Sequence, residues 1–293
     1  MARPAARLAG NAPGDVYVDD SCIDCAMCRV LAPQLFVRDD AAGRSVVARQ
    51  PEDDAQALRA AMALVSCPTS SIGSADKTHA RSAVRALPEA MDDGVHFCGF
   101  ASEKSYGASS YWIARNGGNV LVDSPRAAKP LMDRIEELGG VALMFLSHQD
   151  DVADHARYRA RFGCERVMHA ADAPLRLGIE RRIEGSGDVS LAPDLRAIPV
   201  PGHTRGSMAL LYKEKFLFTG DHLWGEDDGS LGASRTVCWY SWTEQIQSME
   251  RLLDYSFEWV LPGHGDPLHA ESPRAMREKL EALIARMHRR GSA

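Results

Sequence analysis

The sequence predicts an α+β protein in which a small cysteine-bearing domain precedes a larger domain of two face-to-face sheets with helices outside. Four of the seven cysteines fall within the first 67 residues, and three of these four stand at two-residue intervals. The remaining chain begins with short β-type runs separated by Gly, Asn and Ser, and then alternates such runs with amphipathic helical segments. This alternation favours stacked layers of sheet and helix.

The composition excludes several classes of protein. A length of 293 residues suits two domains, and 45% hydrophobic with 25% charged residues is ordinary for a globular protein. A net charge of −6 argues against a nucleic-acid partner, and no apolar run reaches the roughly 18–20 residues that span a bilayer. The start lacks the apolar core of a secretory signal, and the odd cysteine count argues against a disulfide framework. We therefore expect a cytoplasmic protein in a reducing compartment, without a membrane contact.

The predicted first domain covers residues 15–77 and follows a disordered tail at residues 1–14. VYVDD reads as a strand, and CRVLAPQLF reads as a short helix that ends near Pro33. PEDDAQALRAAMALV has the pattern of an amphipathic helix that leads directly to Cys67.

The cysteine spacing predicts an inorganic cluster. Cys22, Cys25 and Cys28 can wrap one tight loop around a compact core, and Cys67, followed by Pro68, closes the fourth corner. Zinc sites normally use two cysteine pairs, so this spacing favours an inorganic cluster over a single zinc ion. The segment resembles the single-cluster bacterial ferredoxins, in which CxxCxxC…CP binds one 4Fe–4S cluster. The resemblance implies that these four cysteines hold such a cluster, either as an electron carrier with a redox partner or as a structural staple.

Residues 78–93 are polar, broken by proline and of mixed charge, which predicts a linker before a second domain at residues 94–293. VHFCGF, SSYWIAR and NVLVDSP read as strands, and AAKPLMDRIEELGG reads as a helix that a glycine pair ends. Further helices are predicted over residues 153–161, over SWTEQIQSMERLLDY with its capping box, and from Ser272-Pro273 onward.

Metal-ligand side chains follow four apolar runs of this second domain. Buried strands have no use for such side chains at their ends, whereas a divalent metal does. Any one of these positions is a weak signal, but all of them in one chain predict a metal site. They are His148 with Asp150, Asp154 and His155; His203 in PGHT; Asp221 in FTGD; and His264 in PGHG.

In these motifs the second domain is similar to the metallo-β-lactamase superfamily, with its αββα sandwich and metal site. SHQDDVADH stands where that family has HxHxDH, and the three later motifs read as in its glyoxalase II-like branch. The resemblance implies a first metal on His148 and His203. It implies a second metal on Asp154, His155 and His264, with Asp221 as the bridge between the two.

The first motif departs from the family pattern. Asp150 stands where the family has its second histidine, and the Asp-His pair arrives two residues late as Asp154-His155. Either an insertion keeps the pair as ligands, or the second metal position is altered. The sequence therefore predicts one or two divalent metals, with zinc as the first choice and iron or manganese as alternatives.

The chemistry that the resemblance implies is hydrolysis of a small-molecule thioester, ester or amide by a metal-bound hydroxide. Asp154 or Asp150 would orient that hydroxide or shuttle a proton. The chain after His264 is short, so the additional helical domain of a true glyoxalase II is not expected. An aromatic-rich segment after Asp221 either lines a substrate pocket or packs a long loop.

Two other functions stay open. His148, His203 and Asp221 alone form the two-His-one-carboxylate set of non-haem iron enzymes, and a ferredoxin domain could feed electrons to an oxygenase or reductase of that kind. The third hypothesis is a non-catalytic redox sensor or electron carrier with an altered metal site.

Overall fold

The computed structural model describes residues 2–291, so Met1 of the predicted tail and the last two residues of the predicted second domain lie outside the described residues. The chain divides into two compact units. The first unit comprises the chain up to Ala142 together with Ala153–Gly163, and the second comprises Leu143–Val152 and the chain from Cys164 onward. Across the described residues, no helix has both the length and the apolar character needed to cross a bilayer.

The cysteine-bearing part of the first unit is built from short elements around two helices. Strand β1 pairs with β4, and β2 pairs with β3, both antiparallel. Asp53 accepts a hydrogen bond from the backbone N–H of Gln56 (2.8 Å), which fixes the start of α2, and the helix ends at Cys67. The elements are β1 (Tyr17–Val18), α1 (Met27–Leu31), β2 (Phe36–Asp39), β3 (Arg44–Val47), α2 (Asp54–Ser66) and β4 (Ile72–Gly73).

The residues predicted to form a disordered tail pack against this region in the structure. The N–H of Leu8 donates to the carbonyl of Val18 (3.0 Å). The Asn11 carboxamide oxygen accepts from the N–H groups of Val18 and Val47, at 3.0 Å each. One polar side chain thus satisfies the backbone of two strands, which a tail without structure could not do.

The rest of the first unit continues with helices and a run of antiparallel strands. Strands β5 to β8 pair in chain order, and every residue of β7 and β8 is buried. The predicted linker contains α3 and β5, so it has regular structure. The elements are α3 (Ala80–Arg85), β5 (Glu89–Asp92), β6 (Val95–Phe97), β7 (Tyr111–Ile113), β8 (Val120–Val122), α4 (Lys129–Glu137) and α5 (His155–Phe162).

The second unit contains three parallel strands and a six-stranded sheet. Strand β10 pairs in parallel with both β9 and β11. The sheet has the order β12-β13-β14-β15-β18-β19, and it is antiparallel except where β15 meets β18. The elements are β9 (Leu143–Phe145), β10 (Glu165–His169), β11 (Arg181–Ile183), β12 (Val189–Ala192), β13 (Leu195–Pro199), β14 (Met208–Tyr212), β15 (Phe216–Gly220), β16 (Trp224–Gly225), β17 (Leu231–Gly232), α6 (Trp242–Leu252), β18 (Trp259–Pro262), β19 (Leu268–His269) and α7 (Pro273–Gly291).

A core between the six-stranded sheet and helices α6 and α7 holds this sheet in place. Ile246 and Met249 of α6 and Leu280 of α7 are buried in it with Leu217 of β15 and Val260 of β18. Burial of each such side chain stabilises the fold by about 1.5–3 kcal/mol. The strands that this core fixes end where the predicted ligands begin, since Asp221 follows β15 directly and His264 lies two residues after β18.

Candidate metal centre

Four of the predicted ligands converge in the second unit. The Nε2 atoms of His148 and His203 each lie 3.7 Å from Oδ2 of Asp221. Oδ2 of Asp150 lies 3.9 Å from Nε2 of His148 and 3.6 Å from Nε2 of His203. Donor atoms of a tetrahedral zinc site lie roughly 3.3–3.6 Å from one another, given zinc–ligand bonds of about 2.0–2.2 Å. This first donor group is therefore slightly wider than a loaded tetrahedral site and has the right number of donors.

The second ring nitrogens fix which atom of each imidazole can bind a metal. Nδ1 of His203 donates to the carbonyl of Val237 (2.6 Å), and Nδ1 of His148 lies 3.0 Å from the hydroxyl of Ser147. The carbonyl contact leaves Nε2 of His203 with its lone pair directed at the carboxylates, and donation from Nδ1 of His148 to the Ser147 hydroxyl would leave Nε2 of His148 in the same state. In the part of the chain that the structure describes, both Nε2 atoms are buried without a hydrogen-bond partner. Since a bare buried acceptor is costly, these two atoms fit the ligands of a divalent metal.

A second donor group shares Asp221 with the first. The donor atoms of Asp151, Asp221 and His264 lie within 4.8 Å of one another. Nδ1 of His264 is 2.8 and 2.9 Å from the two carboxylate oxygens of Asp221. Asp221 can therefore face two metal positions, one with two imidazoles and two carboxylates and one with a single imidazole and two carboxylates.

Gly263 keeps the space between two of these carboxylates open. A Cβ atom at this position would lie 2.5 Å from Oδ2 of Asp151 and 2.8 Å from Oδ1 of Asp221. Both distances are shorter than any ordinary carbon–oxygen contact. Any side chain directly before His264 would therefore displace these two carboxylate oxygens from their places in the donor set.

The charges of the site also suit a cation. Burial alone would raise the pKa of Asp221, but His264, His148 and His203 hold it below its usual range. The imidazole of His203, with Nε2 3.6 Å from Oδ2 of Asp150, lowers the pKa of Asp150, and burial lowers the pKa of His148. The carboxylates are consequently ionised and His148 is neutral, which are the states that bind metal.

The structure gives Asp154 other partners and places His155 at the start of a helix. Neither belongs to the two donor groups found among the described residues. The carboxylate of Asp154 accepts hydrogen bonds from Nζ of Lys104 (2.8 Å) and from the N–H of Ala127 (2.9 Å). His155 is the first residue of α5 and is buried. Asp151, which the sequence analysis left unassigned, stands in the second donor group instead. The only sequence signal for it is its place next to Asp150.

Asp172 is a second functional residue that the sequence analysis missed. It is 2% exposed, and its carboxylate accepts hydrogen bonds from the N–H of Gln149 (3.2 Å), the N–H of Gly206 (2.7 Å) and the hydroxyl of Thr204. Gln149 follows His148, and Thr204 follows His203, so one carboxylate ties together the two loops that carry the histidines. Its position shortly after strand β10 is the same kind of strand-end signal as that of the ligands.

The four predicted cluster ligands line one small cavity in the first unit: Cys22, Cys25, Cys28 and Cys67. The N–H of Ser71 donates to Sγ of Cys67 (3.3 Å), and the N–H of Asp24 donates to Sγ of Cys22 (3.5 Å). Burial raises the pKa of Cys25 and of Cys28 to about 12, so these thiols must release protons when iron binds. Four sulfurs around one cavity with N–H donors to sulfur fit a 4Fe–4S cluster.

An exposed aromatic segment is attached to the backbone of His203. The N–H groups of Trp239 and Tyr240 both donate to the carbonyl of His203, at 2.9 and 3.1 Å. Trp239 is 66% exposed and Tyr240 is 48% exposed. The ring of Trp239 lies 6.3 Å from the imidazole of His203. Large apolar side chains that are exposed beside a candidate metal site are typical of a substrate contact.

Comparisons with known proteins assign a family to each of the two parts of the chain. Residues 18–74 match the family described as the 4Fe-4S single cluster domain of ferredoxin I, and residues 92–283 match the metallo-beta-lactamase superfamily. A hydroxyacylglutathione hydrolase of Rhodospirillum rubrum is 32% identical over 122 residues, 40% of this chain and 48% of that protein. One of Xanthomonas oryzae pv. oryzae is 26% identical over 181 residues, 59% of this chain and 70% of that protein.

The chain spans about half the length of the first of these relatives. Among solved structures, the DIM-1 metallo-beta-lactamase covers 66% of this chain and 96% of its own length, with a TM-score of 0.50 and 16% identity. TMB-1 gives the same TM-score at 18% identity, with 66% and 96% covered. Likeness at this identity concerns the fold alone.

Proposed function

This chain belongs to the metallo-β-lactamase superfamily, and from that premise we propose that it is a metal-dependent hydrolase of a small-molecule thioester or ester. The observation that carries the proposal is the sharing of Asp221 between two donor groups, one with His148 and His203 and one with Asp151 and His264. The names of the relatives, which describe hydrolysis of an acylated thiol, support a thioester before an amide.

A metal bound by these residues would supply Lewis acidity, which activates water and polarises a carbonyl oxygen. The protein's part is to hold the donors in place. Asp221 offers both carboxylate oxygens, and the contacts of Nδ1 in His148 and His203 keep their Nε2 atoms directed at it. Asp172 fixes the two histidine loops relative to each other.

Asp150 acts as a ligand rather than as a general base in this proposal. The nearby imidazole of His203 holds the pKa of Asp150 below its usual range, and a carboxylate of low pKa is a weak proton acceptor at neutral pH. Its Oδ2 atom is within 3.9 Å of the Nε2 atoms of both His148 and His203, close to the separation expected of donors that share one metal. An aspartate thus takes the place of the second histidine of the family motif and makes the first donor group richer in oxygen.

The test is turnover by the purified full chain with its metals counted. We expect hydrolysis of an acyl thioester, and His203→Ala should lower kcat/KM at least a hundredfold, equivalent to about 2.7 kcal/mol of transition-state stabilisation. His288→Ala removes an exposed histidine on α7 and is the matched control, with unchanged turnover expected. A metal-loaded protein that turns over no member of a thioester, ester and amide panel would contradict the proposal.

A second candidate function is that of a non-haem iron redox enzyme, with an electron-transfer role for the cluster. The observation that favours it is the grouping of His148, His203 and Asp221, which alone is a two-His-one-carboxylate set. Metal counting on anaerobically purified Cys22→Ser protein, which lacks a cluster ligand, separates cluster iron from iron at this centre. Iron there would favour the redox enzyme, and zinc alone would exclude it.

A further inference from the structure

We propose that Asp154 is a positioning residue through which occupancy of the four cysteines by a cluster sets the metal affinity of the ligand loop at residues 148–151. The inference rests on the metal centre proposed above. It gives a role to the Asp-His pair of SHQDDVADH, which comes two residues later than in the family motif and belongs to neither donor group.

The carboxylate of Asp154 joins two separate chain segments. Oδ1 accepts from Nζ of Lys104 (2.8 Å), and Oδ2 accepts from the N–H of Ala127 (2.9 Å). Asp154 is 8% exposed and stands at the N-cap position of α5, yet its carboxylate is directed at these two donors and does not cap the helix. Helix capping, the ordinary role of an aspartate at this position, is therefore not its function.

The segment that carries Lys104 contacts the loop of the first three cluster cysteines at Cys25. Residues 102–107 form a compact turn, closed by a hydrogen bond from the N–H of Gly107 to the carbonyl of Ser102 (2.8 Å). Gly107 has φ +88°, and a Cβ there would lie 2.3 Å from Cβ of Cys25 and 2.9 Å from its sulfur. Only glycine allows this approach. In the same turn, the hydroxyl of Ser105 accepts from the N–H of Ala153 (3.2 Å).

The segment that carries Ala127 touches the fourth cysteine. The guanidinium of Arg126 donates to the carbonyl of Val65 (2.8 Å) and lies 3.5 Å from the carbonyl of Cys67. Arg126 immediately precedes Ala127, so the amide that binds Asp154 is next to the residue that binds the end of α2. Asp154 is thus connected to Cys25 through one segment and to Cys67 through the other.

The cluster is what holds the ends of both segments in place. Cys28 and Cys67 are buried and Cys25 is half-buried, and four cysteines around one cavity are tied together only when iron bridges their sulfurs. Loss of the cluster frees the loop of Cys25 and the residue Cys67, and with them the partners of Asp154. Because Asp154 follows Asp151 by three residues in the chain, this release reaches the ligand loop. Coupling of this kind is reciprocal in binding free energy, so bound metal must also strengthen the binding of the cluster.

The experiment uses the full chain, with and without a reconstituted cluster, and Mn²⁺ as the probe because thiolates of a cluster-free protein select softer metals. Removal of the cluster should weaken Mn²⁺ binding at least fivefold in the wild type. In Asp154→Asn the affinity should already be reduced with the cluster present, and cluster removal should change it less than twofold. Asp254→Asn, which alters an exposed acid just after α6, is the matched control and should keep the wild-type coupling.

A second readout is independent of Mn²⁺ affinity and of activity. Saturating Mn²⁺ should slow the loss of cluster absorbance in the wild type and in Asp254→Asn, but not in Asp154→Asn. Equal Mn²⁺ affinity with and without the cluster in the wild type would overturn this inference and leave the proposed function standing. Mn²⁺ binding that is unaffected by His203→Ala would overturn the proposed metal centre, and this inference with it.

Discussion

The substitution Gly263→Ala tests the geometry of the second donor group most sharply. The added methyl carbon would lie 2.5 Å from Oδ2 of Asp151 and 2.8 Å from Oδ1 of Asp221. Ordinary carbon–oxygen contacts begin near ~3.3 Å, so the two oxygens must retreat by about 0.5–0.8 Å. Metal–ligand distances tolerate changes of only about 0.2 Å. We therefore expect metal affinity to fall by about tenfold to a hundredfold, the range seen when groups that support a metal site are lost.

Stability should change much less than affinity. The next atom met by the added methyl is the backbone carbonyl carbon of Gly220 at 3.5 Å, an ordinary contact, so only the ends of two side chains have to move. Overpacking at the low end of its range, about 1 kcal/mol, lowers Tm by about 2–4 °C in a chain of this size. Gly187→Ala is the control, because a methyl group there meets nothing within 4 Å.

The assay is chelator competition for metal affinity, combined with thermal unfolding in the presence of chelator. The expected result is weak metal binding by Gly263→Ala, a nearly unchanged Tm, and wild-type behaviour of Gly187→Ala in both measurements. A Gly263→Ala protein that binds metal as tightly as the wild type would refute the placement of Asp151 and Asp221 on either side of this glycine.

Two further predictions concern the surroundings of the site, and a third concerns an ion pair between Arg166 of β10 and Glu180. Asp172→Asn should weaken metal binding about tenfold to a hundredfold, measured by chelator competition, and a wild-type affinity would show that Asp172 does not position the histidine loops. Trp239→Ala should raise KM for an apolar acyl thioester about tenfold with unchanged metal content; an unchanged KM would remove Trp239 from the substrate contact. Bonds from Arg166 lower the pKa of Glu180 to about 2, so their stabilisation is present above pH ~4.5 and is lost as pH falls toward 2. In urea unfolding, the free energy of unfolding should fall between pH ~4.5 and pH ~2 by about 1 kcal/mol more in the wild type than in Glu180→Gln; this figure is small because Glu180 is partly exposed. An equal fall in the two proteins would contradict this role of Glu180.

Local sequence patterns were sufficient to predict the parts of the protein whose interacting residues lie close together in the chain. The family matches confirm the predicted fusion and the α+β fold class, which depended on cysteine spacing and on ligands at strand ends. Helix α6 begins as predicted, because Ser241 accepts from the N–H of Glu244 within one turn.

The path of the chain after His148 could not be predicted in the same way. Asp154 and Asp151 have equivalent sequence signals, and what separates them is Lys104, fifty positions earlier in the chain. The same limit applies to the residues predicted as a disordered tail, where Asn11 binds the backbone of Val47. Contacts between residues distant in sequence decided these cases, and a local pattern carries no information about them.

The central claim is that Asp221 is shared by two metal positions, and anomalous diffraction from metal-loaded crystals tests it most directly. The account predicts two anomalous peaks at this carboxylate, one held by His148, Asp150 and His203 and the other by Asp151 and His264. A peak coordinated by Asp154 and His155 would contradict the account, and so would a single peak that leaves Asp151 and His264 without metal.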